Sequence, residues 1–173
     1  MFLLATQPSS SCSSPNSSDL AASLAETAAA QVLQAEGRGT AAAAAYRRAL
    51  ALDPASPAHR LAVGWSLLRH NTGWGLGAAP DIGAEIEALM DDLLALPKPC
   101  RAAPSARDDA TVLRARAVRV QPSQGRRAQQ LLEDALETAA GELRYRLLVE
   151  QGHLFLSYGQ HAAAMQSLSL IHI

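Results

Sequence analysis

The chain has 173 residues and a net charge of −1, with 49% hydrophobic and only 4% aromatic side chains. This length suits one domain with a substantial core, and the apolar content excludes wholesale disorder. A near-neutral charge gives no general attraction to nucleic acid, and no apolar run approaches the roughly 18 residues that a membrane span needs.

Residues 1–18 are rich in serine and contain Pro8 and Pro15, so a disordered tail is expected there. They lack the basic n-region and apolar stretch of a secretory signal. Cys12 lies in this tail and Cys100 in a proline-flanked stretch. Two such cysteines make neither a metal motif nor a disulfide framework, so a reducing, cytoplasmic setting is expected. The alternative is an organelle-targeted N-terminus, since residues 1–18 are Ser-rich and free of acid although they lack arginine.

Ser18 or Asp19 can cap a first helix, along which Leu20, Leu24, Ala28 and Val32 recur at helical spacing. Gly37 and Gly39 should end it. Thr40 opens a second helix through the strongly helix-favouring run Ala41–Ala45, and Asp53-Pro54 closes it. Ser56 and Pro57 read as the N-cap and first residue of a third helix, running to about Arg69. Asn71–Pro80 reads as a loop with glycines at 73, 75 and 77. Asp81 then caps a helix whose Ile82, Ile86, Leu89, Met90, Leu93 and Leu94 form a broad apolar stripe. Leu96-Pro97 ends it, and the residues up to Arg107 read as a second irregular linker. Asp108 or Asp109 starts the fifth helix, and Gln121–Gly125 is a turn before the sixth. Gly141 separates that helix from a seventh over Glu142–Ser157, and an eighth starts near Gln160.

A repeated pattern runs through these elements. Ala30, Leu33, Gly37, Ala42, Tyr46 and Ala49, with Pro54 closing the pattern, have a second copy in Gly152, Phe155, Gly159, Ala164, Leu168 and Ile171, each of these six lying 122 residues after its counterpart. Gly64 and Leu67 repeat the first pair at an offset of 34; Ala128, Leu132 and Ala135 repeat the Ala42, Tyr46, Ala49 trio at 86. Ala115 and Val118 take the same places in the fifth helix. Such spacing marks repeating helix pairs that bury their apolar faces on one another. Over 23–56, and less closely over 145–173, the chain resembles the tetratricopeptide repeat family. That resemblance implies an all-α helical-repeat solenoid of about four antiparallel pairs, interrupted by two irregular loops. The units fall at about 23–56, 57–96, 108–140 and 142–173, within a repeat domain spanning 19–173. The chain ends on Leu168, Leu170, Ile171 and Ile173, where an array normally carries a polar cap. A fragment with a truncated last unit is expected, self-associating through this apolar end.

No stretch carries an enzyme signature. The glycine loop has no strand before it and no lysine followed by Ser/Thr after it, so it is not a phosphate loop. The pairs Asp91-Asp92 and Asp108-Asp109 are chain neighbours, which do not face each other on a helix. His59, His70, His153, His161 and His172 never fall at the i, i+4 spacing of helical metal ligands. No catalytic residue, metal or cofactor is therefore expected. The balance of charge is uneven: residues 98–173 hold ten basic and seven acidic side chains. Arg114, Arg116 and Arg119 lie on the fifth helix, with Arg126 and Arg127 opening the sixth and Arg144 and Arg146 the seventh. Guanidinium forks suit carboxylates, although some of these arginines can simply pair with the acids of 81–92.

Trp65 stands one place after the small residue Gly64, and His153 one place after Gly152. The resemblance implies that this place faces a concave groove holding a peptide or helix of a protein partner. The expected groove residues are Trp65, Arg114, Arg146 and His153, with an acidic partner segment. Thr27 and Gln31 stand where chaperone-tail binders of the family carry a lysine-and-asparagine clamp, so that activity is not expected. The alternative expectation is an N-terminal appendage of a larger enzyme, such as a transferase.

Overall fold

The computed structural model describes residues 16–71, 80–96, 104–121 and 123–170. Among these residues are eight helices and no strand: α1 (Ser17–Ala35), α2 (Gly39–Leu52), α3 (Pro57–Asn71), α4 (Pro80–Ala95), α5 (Pro104–Arg119), α6 (Gly125–Thr138), α7 (Gly141–Ser157) and α8 (His161–Ser169). The all-α expectation holds. The expectations for residues 1–15, the glycine loop, both cysteines and Ile171–Ile173 lie outside the described residues.

Helix starts differ most from the sequence reading. α1 begins two residues inside the expected tail, with Asn16 at the cap in extended conformation but without a side-chain hydrogen bond. α5 begins at Pro104 and takes in the last four residues of the expected linker. The reason is local: a proline in the first turn loses nothing by lacking an N–H, and its fixed φ suits a helix. Arg107, now inside the helix, donates to the Leu94 carbonyl at the end of α4 (3.3 Å). The third start is as read, with the Ser56 hydroxyl accepting the His59 N–H at 3.3 Å.

Two turns are built alike. After α1, Gly37 adopts φ +76°, and the Arg38 N–H reaches back to the Leu33 carbonyl at 2.9 Å. After α7, Gly159 adopts φ +69°, and the Gln160 N–H reaches the Phe155 carbonyl, also at 2.9 Å. Both are Schellman closures, in which a left-handed residue lets the chain satisfy the last free carbonyls. The six residues involved are 122 apart, pair by pair. At the corresponding turn before α6, Ser123 takes the left-handed place with φ +64°.

Each helix packs on its neighbour in the chain, and in addition α3 packs on α5 and α5 on α7. α5 joins the two cores. Its Ala110, Leu113 and Ala117 pack with Val63, Leu67, Ile86 and Met90, while its Val112, Ala115 and Val118 pack with Leu132, Leu147 and Leu154. Small residues mark the close crossings. A Cβ at Gly64 would come within 2.7 Å of Leu113, and one at Gly152 within 2.9 Å of Leu168. At the N-terminal ends of α2, α4 and α6, Gly39, Gly83 and Gly125 lie under His70, Gln121 and Tyr158, each from the end of the following helix.

Polar bridges follow the same alternation. His59 of α3 lies 3.3 Å from the Ser23 hydroxyl and 3.2 Å from the Thr27 hydroxyl of α1. Among even-numbered helices, Arg47 of α2 grips Glu85 of α4 with two hydrogen bonds (2.8 and 2.7 Å), and Arg127 of α6 pairs with Glu87 of α4.

Candidate binding face across α3, α5 and α7

The polar centre of the molecule is a carboxylate. Glu150 is buried, 1% exposed, on α7 among the buried Leu147, Leu148, Gly152 and Leu154. Two guanidinium groups of α5 hold it. Arg116 Nε donates to Oε1 at 2.8 Å, with a second donation from the same guanidinium, and Arg119 Nε donates to Oε2 at 3.1 Å. Charge-assisted bonds to both oxygens are what permit a carboxylate to sit away from water. The arginines are only partly covered, at 33% and 17% side-chain exposure. The cluster carries two positive charges against one negative, so its surplus faces outward.

Arg116 also reaches the other way. Its guanidinium lies 5.5 Å from the ring centroid of Trp65 on α3, within cation–π range. Trp65 is half-buried and packs on the first core. One side chain of α5 thus links α3 to α7.

Helical geometry extends this cluster into a strip. On α7, Arg146, Glu150 and His153 are spaced i, i+4 and i+7, which places them on one face. On α5, Asp109 and Arg116 are seven apart and share a face in the same way. Asp109 and Arg146 close the strip with an ion pair at 2.7 Å. His153 is exposed beside Glu150, one turn further along.

Of the four expected groove residues, the structure brings Trp65, Arg146 and His153 to this strip. Arg114 goes elsewhere. Two residues before Arg116, it points to the opposite side of α5, since successive helical positions turn about 100°. It pairs there with Asp91 of α4 at 2.9 Å and lies 3.9 Å from Glu87. That contact, and the Arg127–Glu87 pair, fulfil the expected pairing of arginines with the acids of 81–92.

The sequence reading passed over Arg116 as a groove residue and did not single out Glu150 at all. Both carried a signal. Arg116 stands one place after Ala115, the small position of its helix, just as Trp65 and His153 follow theirs. Glu150 lies 34 residues after Arg116, one repeat length on, as a lone acid in an apolar stretch.

A serine–histidine contact also emerges from the packing of α1 on α3. The Thr27 hydroxyl donates to the Ser23 carbonyl at 2.8 Å, so its contact with His59 requires the imidazole Nε2–H to donate. Nδ1 is then an acceptor, and it is buried without a partner. A base for serine chemistry needs a free Nε2 lone pair and substrate access; Ser23 is fully buried.

Among the described residues, no group of three His, Cys, Asp or Glu side chains is placed to hold a metal ion, and no helix is long and apolar enough to cross a membrane. No protein-family model matches this chain, and neither the curated proteins nor the solved structures give a match.

Proposed function

We propose that this chain is a tetratricopeptide-like helical-repeat module that binds an extended peptide or helix of a partner protein along the face of α3, α5 and α7. The observation that carries this reading is the strip itself. Trp65, Arg116 and His153 stand in the same place of three successive odd-numbered helices, and two of them are in direct contact. A partly buried tryptophan beside partly covered arginines is the composition that concentrates binding energy at protein interfaces. The groove prefers an acidic residue, which Arg116 and Arg119 meet with the charge left over from Glu150. Arg146 contributes less, because a partner carboxylate must compete with Asp109 for it; Arg114, held by Asp91 on the other side of α5, stands outside this face.

Fluorescence polarisation with acidic and basic peptide libraries tests the reading. Binding of acidic peptides should weaken with salt, as expected over a Debye length of about 10 Å at 0.1 M. Trp65→Ala should weaken it about tenfold or more, in line with an interface anchor, and Arg114→Ala by much less. Preference for basic peptides, or indifference to Trp65→Ala, would refute it.

A further inference from the structure

A second feature lies apart from that face, between α2, α3 and α4. A cavity of about 200 Å³ is lined by Gly39, Thr40, Ala43, Arg47, Ser66, Leu67, His70 and Ile82. Its polar lining is unusual for a helical interior. Ser66 is 1% exposed, and among the described residues its Oγ has no hydrogen-bond partner; the same holds for the buried Nε2 of His70. Buried polar atoms normally find partners, and leaving one unmade costs stability. Ser66 and His70 are four apart on α3, so they face the cavity together.

The opposite wall is the start of α2, where Gly39, Ala43 and Arg47 recur at i, i+4 and i+8. This helix has Arg38 at its cap and no side-chain cap bond, so no side chain at the cap satisfies the N–H groups of Gly39, Thr40 and Ala41. The His70 ring occupies the space where a side chain at residue 39 would stand, so glycine there lets the imidazole lie against the helix end.

We propose that this cavity binds a small oxyanion, a carboxylate or phosphate group, held by Ser66, His70 and the open N–H groups at the start of α2. The chemistry of the lining selects this class. Hydroxyl, imidazole and backbone groups can all donate, a helix start favours negative charge, and no carboxylate is among the lining residues. Arg47, a lining residue, already holds Glu85 with two hydrogen bonds. Ala43, Leu67 and Ile82 supply apolar wall for a short carbon chain, and the volume admits inorganic phosphate or a short carboxylic acid.

The test is an amide NMR titration of the whole chain with inorganic phosphate and, separately, with acetate, at ionic strength matched with chloride. Saturable shifts at Gly39, Thr40, Ser66 and His70 are expected with at least one of the two. Response to phosphate alone or to acetate alone keeps the site and identifies its source. Ser66→Ala should weaken that binding about fivefold, while the fold persists because the lost hydroxyl made no bond. Absence of saturable shifts with either anion, shifts equally produced by chloride, or undiminished binding by Ser66→Ala would overturn the proposal.

Discussion

Glu150 is a carboxylate closed off from solvent, at 1% exposure. Its charge is out of reach of water, and Arg116 and Arg119 replace the lost hydration. Removing one partner of a buried pair costs more than the pair contributes, because the remaining charges are left uncompensated. Glu150→Ala should therefore destabilise the fold by about 3 kcal/mol, the lower end of the usual range, since both arginines can reach water in part. Urea denaturation measures this; a loss below about 1 kcal/mol, the scale of a surface pair, would contradict the buried arrangement. Tyr46 shows a second effect of burial. Its hydroxyl donates to Gln34 Oε1 at 3.2 Å, and burial pushes the phenol above its ordinary value, with nearby Arg69 opposing the shift. The unfolded chain therefore releases this proton first, and stability falls as pH rises beyond about 10. Tyr46→Phe should remove this part of the alkaline slope, measured as stability against pH, and lower stability at neutral pH by about 1 kcal/mol for the lost hydrogen bond.

At the scale of single elements, the three comparable turns before α2, α6 and α8 carry different residues at the left-handed position. Gly37 and Gly159 take a left-handed backbone without penalty, whereas Ser123 carries a Cβ into the same conformation. Ser123→Gly should raise stability by about 1 kcal/mol, read as a higher urea midpoint with unchanged slope; no gain would mean that other contacts hold the serine in place. Helices with clear stop signals and apolar stripes were legible in the sequence, as α2 and the Ser56-Pro57 start of α3 show. α5 was misread at its start because Pro104 looks the same in a linker and in a first helical turn. The site was legible in part. Trp65 and His153 follow from the position after a small residue, but Arg114 was preferred to Arg116 two places away. Choosing between them requires knowing which side of α5 faces α7 and which faces α4, and α5 buries apolar residues on both sides.

Across the whole molecule, α5 holds the arrangement together. It packs into both cores, meets Trp65 and Glu150 through Arg116, and turns Arg114 towards α4. The polar bonds between odd-numbered helices include those of His59 with Ser23 and Thr27, those of Glu150 with Arg116 and Arg119, and Asp109–Arg146, so the proposed binding face is also a structural seam. A partner that engages it would meet side chains already fixed by packing, which lowers the entropy cost of binding. The most direct measurement is to select peptide ligands on the whole chain and map the tightest one by amide NMR shifts. The account predicts that the largest shifts cluster at Trp65, Arg116, Arg119, Arg146 and His153. Shifts confined to α2, α4 and α6 would contradict it.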